Sequence, residues 1–296
     1  MSQTKRSSPV AVRGFHFFGS LQAAVQRINE SIHSAVFMGL IDDATFQDYD
    51  SYPYGSWEGG LEVGDDADEP LPLWFRNWIV QLPANSRILV VGAGGGRELR
   101  LLHKLGHTVN GLEFDVDLAL HTRAFLEREP ATATVPVFNV DRFEVPEFPE
   151  RFDAVVITRF FLSYVHNRSR RIQFLSLLRG ALRENGQLAA DYFIRPENPK
   201  SAGALAFRLQ RPIANFLRAL RGRGFSRVET GDHLDPKLPL FHHHYTGEEI
   251  ESELISSGFE TVSNDKSWFG WSVAKPKPHI RTEVKMTPSR PGMTVS

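Results

Sequence analysis

Apolar residues recur along the chain with two different periods, and the change from one to the other divides it into regions. Between residues 15 and 48 they return every three or four positions, at Phe18, Leu21, Ala24, Val25, Ile28 and Ile32. This spacing places them on one side of a helix, so it predicts a long helix with one buried face. Residues 1–12 are polar, and we expect them to fray.

From Arg87 onward, short apolar runs alternate with helical segments. Strands are expected at residues 88–91, 108–113, 135–139, 154–158, 187–192, 259–262 and 268–274. A short helix over residues 73–82 precedes the first strand, and a capping box of Thr246 and Glu249 begins the last helix. Such alternation is typical of a parallel sheet covered by helices on both faces.

Residues 195–241 interrupt this alternation. They contain a basic amphipathic segment over residues 204–222, which Pro212 is expected to kink or break. We therefore expect three regions, namely an N-terminal helical lid over 1–69, an α/β domain over 70–275 with an inserted cap over 195–241, and a disordered tail over 276–296.

Composition excludes several functional classes. Acidic and basic residues nearly balance, and a net charge of −1 provides no global field for nucleic acid or anionic lipid. Cysteine is absent, which excludes disulfides, thiolate metal sites and cysteine nucleophiles. The chain shows neither a membrane-spanning apolar run nor a secretory signal. We therefore expect a cytoplasmic protein with no membrane or nucleic-acid partner.

The most informative segment is a glycine-rich turn, Val90-Val91-Gly92-Ala93-Gly94-Gly95-Gly96-Arg97-Glu98, between a predicted strand and a predicted helix. Glycine permits tight turning and a close approach of ligand to backbone. Two patterns compete here. The dinucleotide fingerprint needs glycine or alanine where this chain has Arg97, whereas the pattern G-x-G-x-G is met by Gly92, Gly94 and Gly96.

An acid at the end of the second predicted strand supports a nucleotide-type ligand without choosing between these patterns. Glu113 lies 21 residues after Gly92, where a carboxylate can accept hydrogen bonds from both hydroxyls of one ribose. The third strand is followed by a further acid, in the segment Asn139-Val140-Asp141-Arg142-Phe143.

Taken in order, these segments resemble those of class I S-adenosylmethionine-dependent methyltransferases, over roughly residues 70–275. The turn is similar to the family's first motif, and Phe152-Asp153-Ala154-Val155-Val156 resembles its fourth strand. The resemblance implies a doubly wound, Rossmann-like sheet of seven strands, six parallel and the last antiparallel, with S-adenosylmethionine as cofactor. It also implies that Asp141 reaches the adenine amino group and that the backbone of Arg142 lies near the ring.

The cofactor residues expected from this resemblance are Gly92, Ala93, Gly94, Gly96, Glu98, Glu113, Phe114, Asp141, Arg142 and Thr158. One departure concerns the position two residues before the first glycine, where many family members have an acid and this chain has Val90. Glu98 follows the turn and is a candidate for contacting the turn backbone or the cofactor's ammonium. Alternatively, Glu98 has only a structural role, as a carboxylate in the first turn of a helix, where the helix dipole favours negative charge.

Methyl transfer from a sulfonium mainly requires that the acceptor be aligned and water excluded, so no fixed catalytic triad is expected. Acceptor-side residues should follow the fourth strand, as Arg159 and Tyr164 do, or belong to an aromatic lid loop with Tyr52, Tyr54 and Trp57. The chain lacks the N/D-P-P-Y/F run found in resembling enzymes that methylate nucleobase amino groups. This argues, with the neutral charge, against a nucleic-acid substrate.

The run His242-His243-His244-Tyr245 is interpreted as a short strand before the last helix. Side chains alternate along a strand, so only His242 and His244 could share a ligand shell, and no nearby acid at ligand spacing completes a metal site. We therefore expect no metal, and we place the catalytic candidates here: His242, His244 and Tyr245.

The sequence thus predicts an S-adenosylmethionine-dependent methyltransferase that transfers a methyl group to an oxygen or nitrogen atom of a small molecule. Two alternatives stay open. One is an NAD-linked oxidoreductase, against which Arg97 counts, and the other is a non-catalytic binding protein that retains the fold.

Overall fold

The structure is a computed structural model, and it describes residues 10–41, 71–128, 130–140, 144–195, 202–221, 227–234, 240–267 and 269–278. The helices are α1 (Val10–Leu40), α2 (Leu73–Ile79), α3 (Arg97–Lys104), α4 (Val116–Glu127), α5 (Phe161–Tyr164), α6 (Arg168–Ala181), α7 (Ala202–Arg221) and α8 (Gly247–Ser256). The strands are β1 (Arg87–Val91), β2 (Thr108–Glu113), β3 (Val137–Asn139), β4 (Phe152–Ile157), β5 (Leu182–Phe193), β6 (Asp232–Leu234), β7 (Phe241–His243), β8 (Phe259–Asp265) and β9 (Phe269–Pro276). None of the described helices is long and apolar enough to cross a membrane.

Seven of the strands form one sheet, in the order β3-β2-β1-β4-β5-β9-β8. The neighbours from β3 to β5 pair in parallel, whereas β9 is antiparallel to both β5 and β8. Within this sheet β9 is therefore the one reversed strand. This confirms the predicted doubly wound, mostly parallel sheet with a final antiparallel strand.

The central strands are apolar throughout because helices cover both faces of the sheet. In β1, Ile88 and Val90 pack into a core shared with α2, α3 and α4, while Leu89 and Val91 pack into a core shared with α6 and α8. All four side chains are fully buried. The glycine turn begins directly after this strand, so the buried strand fixes the position at which the turn starts.

Helices α1 and α7 lie outside the sheet and pack against each other and against a ribbon formed by β6 and β7. Their shared core contains Ala35, Met38, Ala214, Val228, Leu234 and Phe241. Two hydrogen bonds add to it, from Arg218 Nε to the Met38 carbonyl at 2.7 Å and from the Leu234 N–H to Ser34 Oγ at 2.8 Å. The described parts of the N-terminal extension and of the inserted segment therefore meet in one small core.

Two features of these helices differ from the sequence predictions. The predicted buried face of α1 is largely exposed at Leu21, Val25 and Ile32, whereas Ala35 and Met38 near its end are buried in the core shared with α7. Of the kink or break expected at Pro212, the break does not occur, since α7 runs unbroken from Ala202 to Arg221. Helix α1 also begins five residues earlier than predicted, and residues 42–48 lie outside the described residues.

Most other predicted elements lie within three residues of their observed bounds. The exception is β5, which already begins at Leu182 because that residue pairs with Phe152 of β4 before the register shifts. The capping box is confirmed, with hydrogen bonds in both directions between Thr246 and Glu249. Of the predicted tail, residues 279–296 lie outside the described residues.

A buried ion-pair network connects the β6–β7 ribbon to the helices of the sheet domain. Arg171 of α6 donates through Nη2 to Glu253 of α8 at 2.8 Å and to Glu229 at 2.7 Å. Beside it, His243 Nδ1 lies 2.7 Å from Asp232 Oδ1. Burial raises the pKa of Asp232 to about 6 and lowers the pKa of His243. The ribbon is thus anchored by polar contacts that burial makes costly to break.

Replacing Arg171 by alanine is expected to reduce the free energy of unfolding by about 3–5 kcal/mol, because the fully buried Glu253 would lose its counter-charge. Urea denaturation measures the loss. Arg183→Ala is the matched control, since its ion pair with Asp153 is half exposed and should cost less than about 1 kcal/mol. Similar losses in both variants would contradict the role given to the buried network.

Candidate functional site

The glycine-rich turn joins β1 to α3 at the carboxyl end of the sheet. Gly92, Gly94 and Gly96 have φ angles of +72°, +51° and +84°, in the left-handed region that favours glycine. A Cβ atom added to Gly94 would project into open space, where its nearest neighbour is the Gly92 carbonyl oxygen at 3.8 Å. The turn therefore leaves room for a ligand to approach the backbone at Gly94.

The predicted ribose-binding acid lies directly beside this turn. Glu113 Oε2 accepts a hydrogen bond from the Gly94 N–H at 2.8 Å, and Oε1 accepts from the N–H groups of Phe114 and Asp115 at 2.8 and 3.1 Å. Burial raises the pKa of Glu113, while these three donors lower it. A carboxylate offers about four acceptor positions, so one remains for a ligand hydroxyl.

Two aromatic rings pack beside the turn. Phe114 stacks on Phe161 with ring centroids 4.6 Å apart, and a Cβ atom added to Gly92 would come within 3.2 Å of Phe161. The N–H groups of Gly92 and Ala93 both donate to the Leu112 carbonyl, at 3.0 and 2.9 Å. The turn is thus held between β2 and α5, and the predicted cofactor contact of Phe114 stays a prediction.

Thr158 follows β4 beside the start of the turn. Ile157 pairs with Val91, so the next residues, Thr158 and Gly92, are neighbours in the register. The Thr158 hydroxyl is buried and has no hydrogen-bond partner within the described part of the chain. Buried polar atoms are nearly always paired, so this hydroxyl is a candidate contact for a polar group of a ligand.

Glu98 lies under the turn and is almost completely buried. Its Oε1 accepts a hydrogen bond from Arg97 Nε at 3.0 Å, and Arg97 is itself buried. The negative charge of Glu98 also raises the pKa of Asp191. Because Glu98 forms an internal ion pair, the arrangement favours a structural role at the helix start over contact with an ammonium group.

Asp191 of β5 is a candidate site residue that sequence reasoning missed. Its Oδ1 accepts a hydrogen bond from the Phe160 N–H at 2.7 Å, and the backbone of Arg159 also donates to it. Arg159 and Phe160 have φ angles of +55° and +59°, so this carboxylate holds the left-handed turn after β4. Burial raises the pKa of Asp191 to about 7. The sequence signal that could have identified Asp191 is an acid near the end of an apolar strand, which is the same signal that identified Glu113.

A series of aromatic rings lies between the turn after β4 and the β6–β7 ribbon. Phe160 stacks on Phe193 at 4.3 Å, and Phe193 stacks on His244 at 5.2 Å between ring centroids. The Tyr164 ring lies 6.4 Å from Phe193 and 6.2 Å from His242. Burial raises the pKa of Tyr164 to about 12, so its hydroxyl keeps its proton at neutral pH.

The consecutive histidines occupy β7 and the position after it, as predicted. His242 and His244 lie on one face of the ribbon, and His243 lies on the other, in the buried ion-pair network. His233 of β6 pairs directly opposite His242 and shares its face. Sequence analysis missed His233 because nothing local indicated which strand would lie against β7.

The structure places Tyr245 away from this face. Its side chain is fully buried, its hydroxyl donates to the Leu162 carbonyl at 3.4 Å, and the Arg171 guanidinium lies over its ring. Burial raises its pKa well above the ordinary value for tyrosine. This placement in the domain core does not fit the catalytic role predicted for Tyr245.

Five further predicted site residues lie outside the described residues, so their roles stay predictions: Tyr52, Tyr54, Trp57, Asp141 and Arg142.

Among the described acids and histidines, one group has ligand atoms that all lie within 4.8 Å of one another: Glu229, Asp232 and His243. The Arg171 guanidinium lies in contact with this group, with Nη2 at 2.7 Å from Glu229 Oε2 and 3.5 Å from His243 Nε2. A fixed positive charge already balances these acids, which disfavours a metal ion there.

No protein family model matches the chain, and no curated protein matches it. Solved structures do match. The methyltransferase CcbJ from Streptomyces caelestis is 16% identical, with a TM-score of 0.55 over 79% of this chain and 98% of that chain. An S-adenosylmethionine-dependent methyltransferase from Methanosarcina mazei is 20% identical, with a TM-score of 0.54 over 71% and 99%. One from Clostridium acetobutylicum is 9% identical, with a TM-score of 0.51 over 69% and 89%. The chain therefore has the class I, Rossmann-like methyltransferase fold.

Replacing Asp191 by asparagine is expected to change how stability depends on pH. The folded-state pKa of about 7 exceeds the ordinary value of 3.8, so the folded state binds this proton more tightly than the unfolded state. The stability it contributes is therefore complete below about pH 4 and is lost as pH rises to about 7. Relative to Asp191→Asn, the free energy of unfolding of the unaltered protein should fall by up to about 4 kcal/mol as pH rises across this window.

Urea unfolding of both proteins at several pH values between 4 and 8 tests this expectation. Asparagine keeps an oxygen for the Phe160 N–H, so the comparison isolates the charge. Asp117→Asn, on an exposed position of α4, controls for the loss of a carboxylate. Parallel pH dependence in the unaltered protein and in Asp191→Asn would contradict the assignment.

Proposed function

We propose that this chain is an S-adenosylmethionine-dependent methyltransferase that transfers a methyl group to an oxygen or nitrogen atom of a small molecule. One observation carries the proposal. At the carboxyl ends of β1, β2 and β4, Gly94 has open space at its Cβ position, its N–H orients the Glu113 carboxylate, and the Thr158 hydroxyl has no partner among the described residues. Ligands of doubly wound sheets bind in the crevice at this edge.

The residues of the crevice fit this cofactor. Glu113 would accept a hydrogen bond from a ribose hydroxyl through its remaining acceptor position, the backbone at Gly94 would lie against the methionine part, and the Thr158 hydroxyl would bind a polar group of the cofactor. When bound, S-adenosylmethionine supplies a methyl group already activated by the sulfonium. The protein then has to position the acceptor and exclude water, which requires no nucleophilic side chain.

The acceptor would lie between the end of β4 and the β6–β7 ribbon, against the rings of Phe160, Tyr164 and Phe193. Where the acceptor must lose a proton, His242 is the better candidate base. Burial lowers the pKa of His244 to about 2, so that imidazole is neutral at physiological pH but too weak a base to be effective. His242 lies on the same face of the ribbon, and like His244 it is partly exposed.

The NAD-linked alternative has less support. The dinucleotide-binding fold has the strand order 3-2-1-4-5-6, whereas this sheet places the reversed β9 between β5 and β8. Arg97 occupies the third position of the dinucleotide fingerprint, where a small residue is needed.

Calorimetric titration with S-adenosylhomocysteine, compared with NADH, tests the proposal. We expect binding of the former and none of the latter. Glu113→Ala should weaken binding by about 1–3 kcal/mol, or roughly 5- to 150-fold, because hydrogen bonds to a charged group are lost. Glu127→Ala, an exposed carboxylate on α4, should leave affinity unchanged. Binding of NADH without binding of S-adenosylhomocysteine would contradict the proposed function and favour the NAD-linked alternative. Release of S-adenosylhomocysteine during incubation with S-adenosylmethionine and candidate acceptors would distinguish an enzyme from a binding protein.

Gly94→Ala provides an independent test of where the ligand lies. The new methyl group would occupy the open side of the turn, so affinity for S-adenosylhomocysteine should fall at least tenfold. Gly106→Ala is the matched control, since Gly106 also has a positive φ, of +89°, and open space around its Cβ position. Both changes should cost about 1–2 kcal/mol of stability from backbone strain. Equal affinities in the two variants would place the ligand elsewhere.

A further inference from the structure

His242 and His244 lie on one face of the β6–β7 ribbon and are joined through their rings. His242 Nδ1 lies 3.4 Å from His244 Nε2, which is a long hydrogen bond. A neutral imidazole has one protonated nitrogen and one acceptor nitrogen, so one of the two rings donates to the other. The direction of this hydrogen bond decides which nitrogen of His242 carries the lone pair, and therefore which nitrogen can take up a proton.

The backbone of Ile194 indicates that direction. Ile194 forms a β-bridge with Tyr245, the residue that follows His244. A hydrogen bond between the Ile194 backbone and the His244 ring raises the pKa of that imidazole. This is the effect of a carbonyl acceptor, because an acceptor favours a protonated ring nitrogen and a donor disfavours it. Since Nε2 of His244 faces His242, we infer that Nδ1 is the nitrogen that donates to Ile194.

The packing of His244 disfavours a second proton on its ring. Phe193 stacks on this ring with centroids 5.2 Å apart, and the centroid of the Phe207 ring lies 5.0 Å away. Apolar neighbours disfavour the charged form of an imidazole. Burial lowers the pKa of His244 to about 2, in agreement with this packing. With its single proton on Nδ1, His244 offers the lone pair of Nε2 and accepts the hydrogen bond from His242.

Two hydrogen bonds in series therefore run along this face, from His242 Nδ1 to His244 Nε2 and from the His244 ring to the Ile194 carbonyl. The bond that one ring nitrogen makes sets the protonation of the other, so this series places the lone pair of His242 on Nε2. The His242 ring centroid lies 5.3 Å from that of Phe193 and 6.2 Å from that of Tyr164. These are two of the rings against which the acceptor is proposed to lie.

We propose that His244 is a positioning residue that fixes the tautomer of His242, so that His242 Nε2 is the atom that takes a proton from the methyl acceptor. This role rests on the proposed function. The electron pair that the proton leaves on the acceptor's oxygen or nitrogen would form the bond to the methyl group, while the electron pair of the broken carbon–sulfur bond stays on sulfur. The His242 imidazolium would keep its hydrogen bond to His244, which stabilises the added charge until solvent takes the proton.

NMR of the ¹⁵N-labelled, full-length protein tests this assignment, because protonated and unprotonated ring nitrogens have well-separated chemical shifts. Spectra are recorded at about pH 8, where an imidazole of ordinary pKa is neutral. The resonances of His242 are identified as those that His242→Gln lacks. We expect the Nδ1–H tautomer of His242 to predominate in the unaltered protein. Predominance of the Nε2–H tautomer would overturn the proposal.

A matched pair of variants separates the hydrogen bond from the packing. His244→Gln keeps an acceptor oxygen, whereas His244→Met has a similar shape without that oxygen. His244→Met should shift the tautomer ratio of His242 toward Nε2–H by roughly 2- to 12-fold, the range for the loss of one neutral hydrogen bond. His244→Gln should retain the original ratio, and so should Phe207→Leu, which alters the packing against His244 without removing a polar atom. An unchanged ratio in His244→Met, or an equal shift in Phe207→Leu, would refute the positioning role.

Affinity for S-adenosylhomocysteine is measured by calorimetry on the labelled, unaltered protein. Normal affinity together with the Nε2–H tautomer would overturn the positioning role alone. The Nδ1–H tautomer without binding of S-adenosylhomocysteine would overturn the proposed function alone.

Discussion

The hydrogen bond from the Gly94 N–H to Glu113 Oε2, at 2.8 Å, connects the turn after β1 to the end of β2, and the crevice depends on it. It forms because parallel neighbours in the sheet end at the same edge, which places the last residue of β2 against the turn. The positive φ angles of the turn make this approach possible. Without glycine there, side chains would occupy the space in which the carboxylate and a ligand have to meet.

A second carboxylate plays a corresponding part on the other side of β1. Asp191 of β5 accepts a hydrogen bond from the Phe160 N–H and so holds the strained turn that follows β4. The crevice is therefore bordered by two loops, each fixed by an acid from the adjacent strand. Burial raises the pKa of both acids, and the backbone donors that lower it are the same contacts that define the loops. Stability and site geometry are consequently linked through the same few hydrogen bonds.

The β6–β7 ribbon has a different chemistry on each face. One face contributes Asp232 and His243 to the buried network of Arg171, which anchors the ribbon to the domain. The opposite face presents His233 and His242 toward the end of β4. Because side chains alternate along a strand, anchoring on one face sets the position of the histidines on the other. The N-terminal helix α1 meets α7 and the ribbon in a separate small core.

Local patterns in the sequence were sufficient for the strands and helices of the sheet, the glycine turn and the placement of Glu113 beside it, because each depends on residues close together in the chain. Periodicity places β1 between two cores, and the spacing from Gly92 to Glu113 follows from one strand–helix–strand unit. The tertiary structure alone decided that His233 lies opposite His242, that Asp191 reaches the turn after β4, and that Tyr245 faces the core. It also decided that α1 buries its last turns against α7 instead of the face its periodicity suggested. Strand register and helix docking depend on contacts between residues far apart in sequence, and no local period contains that information.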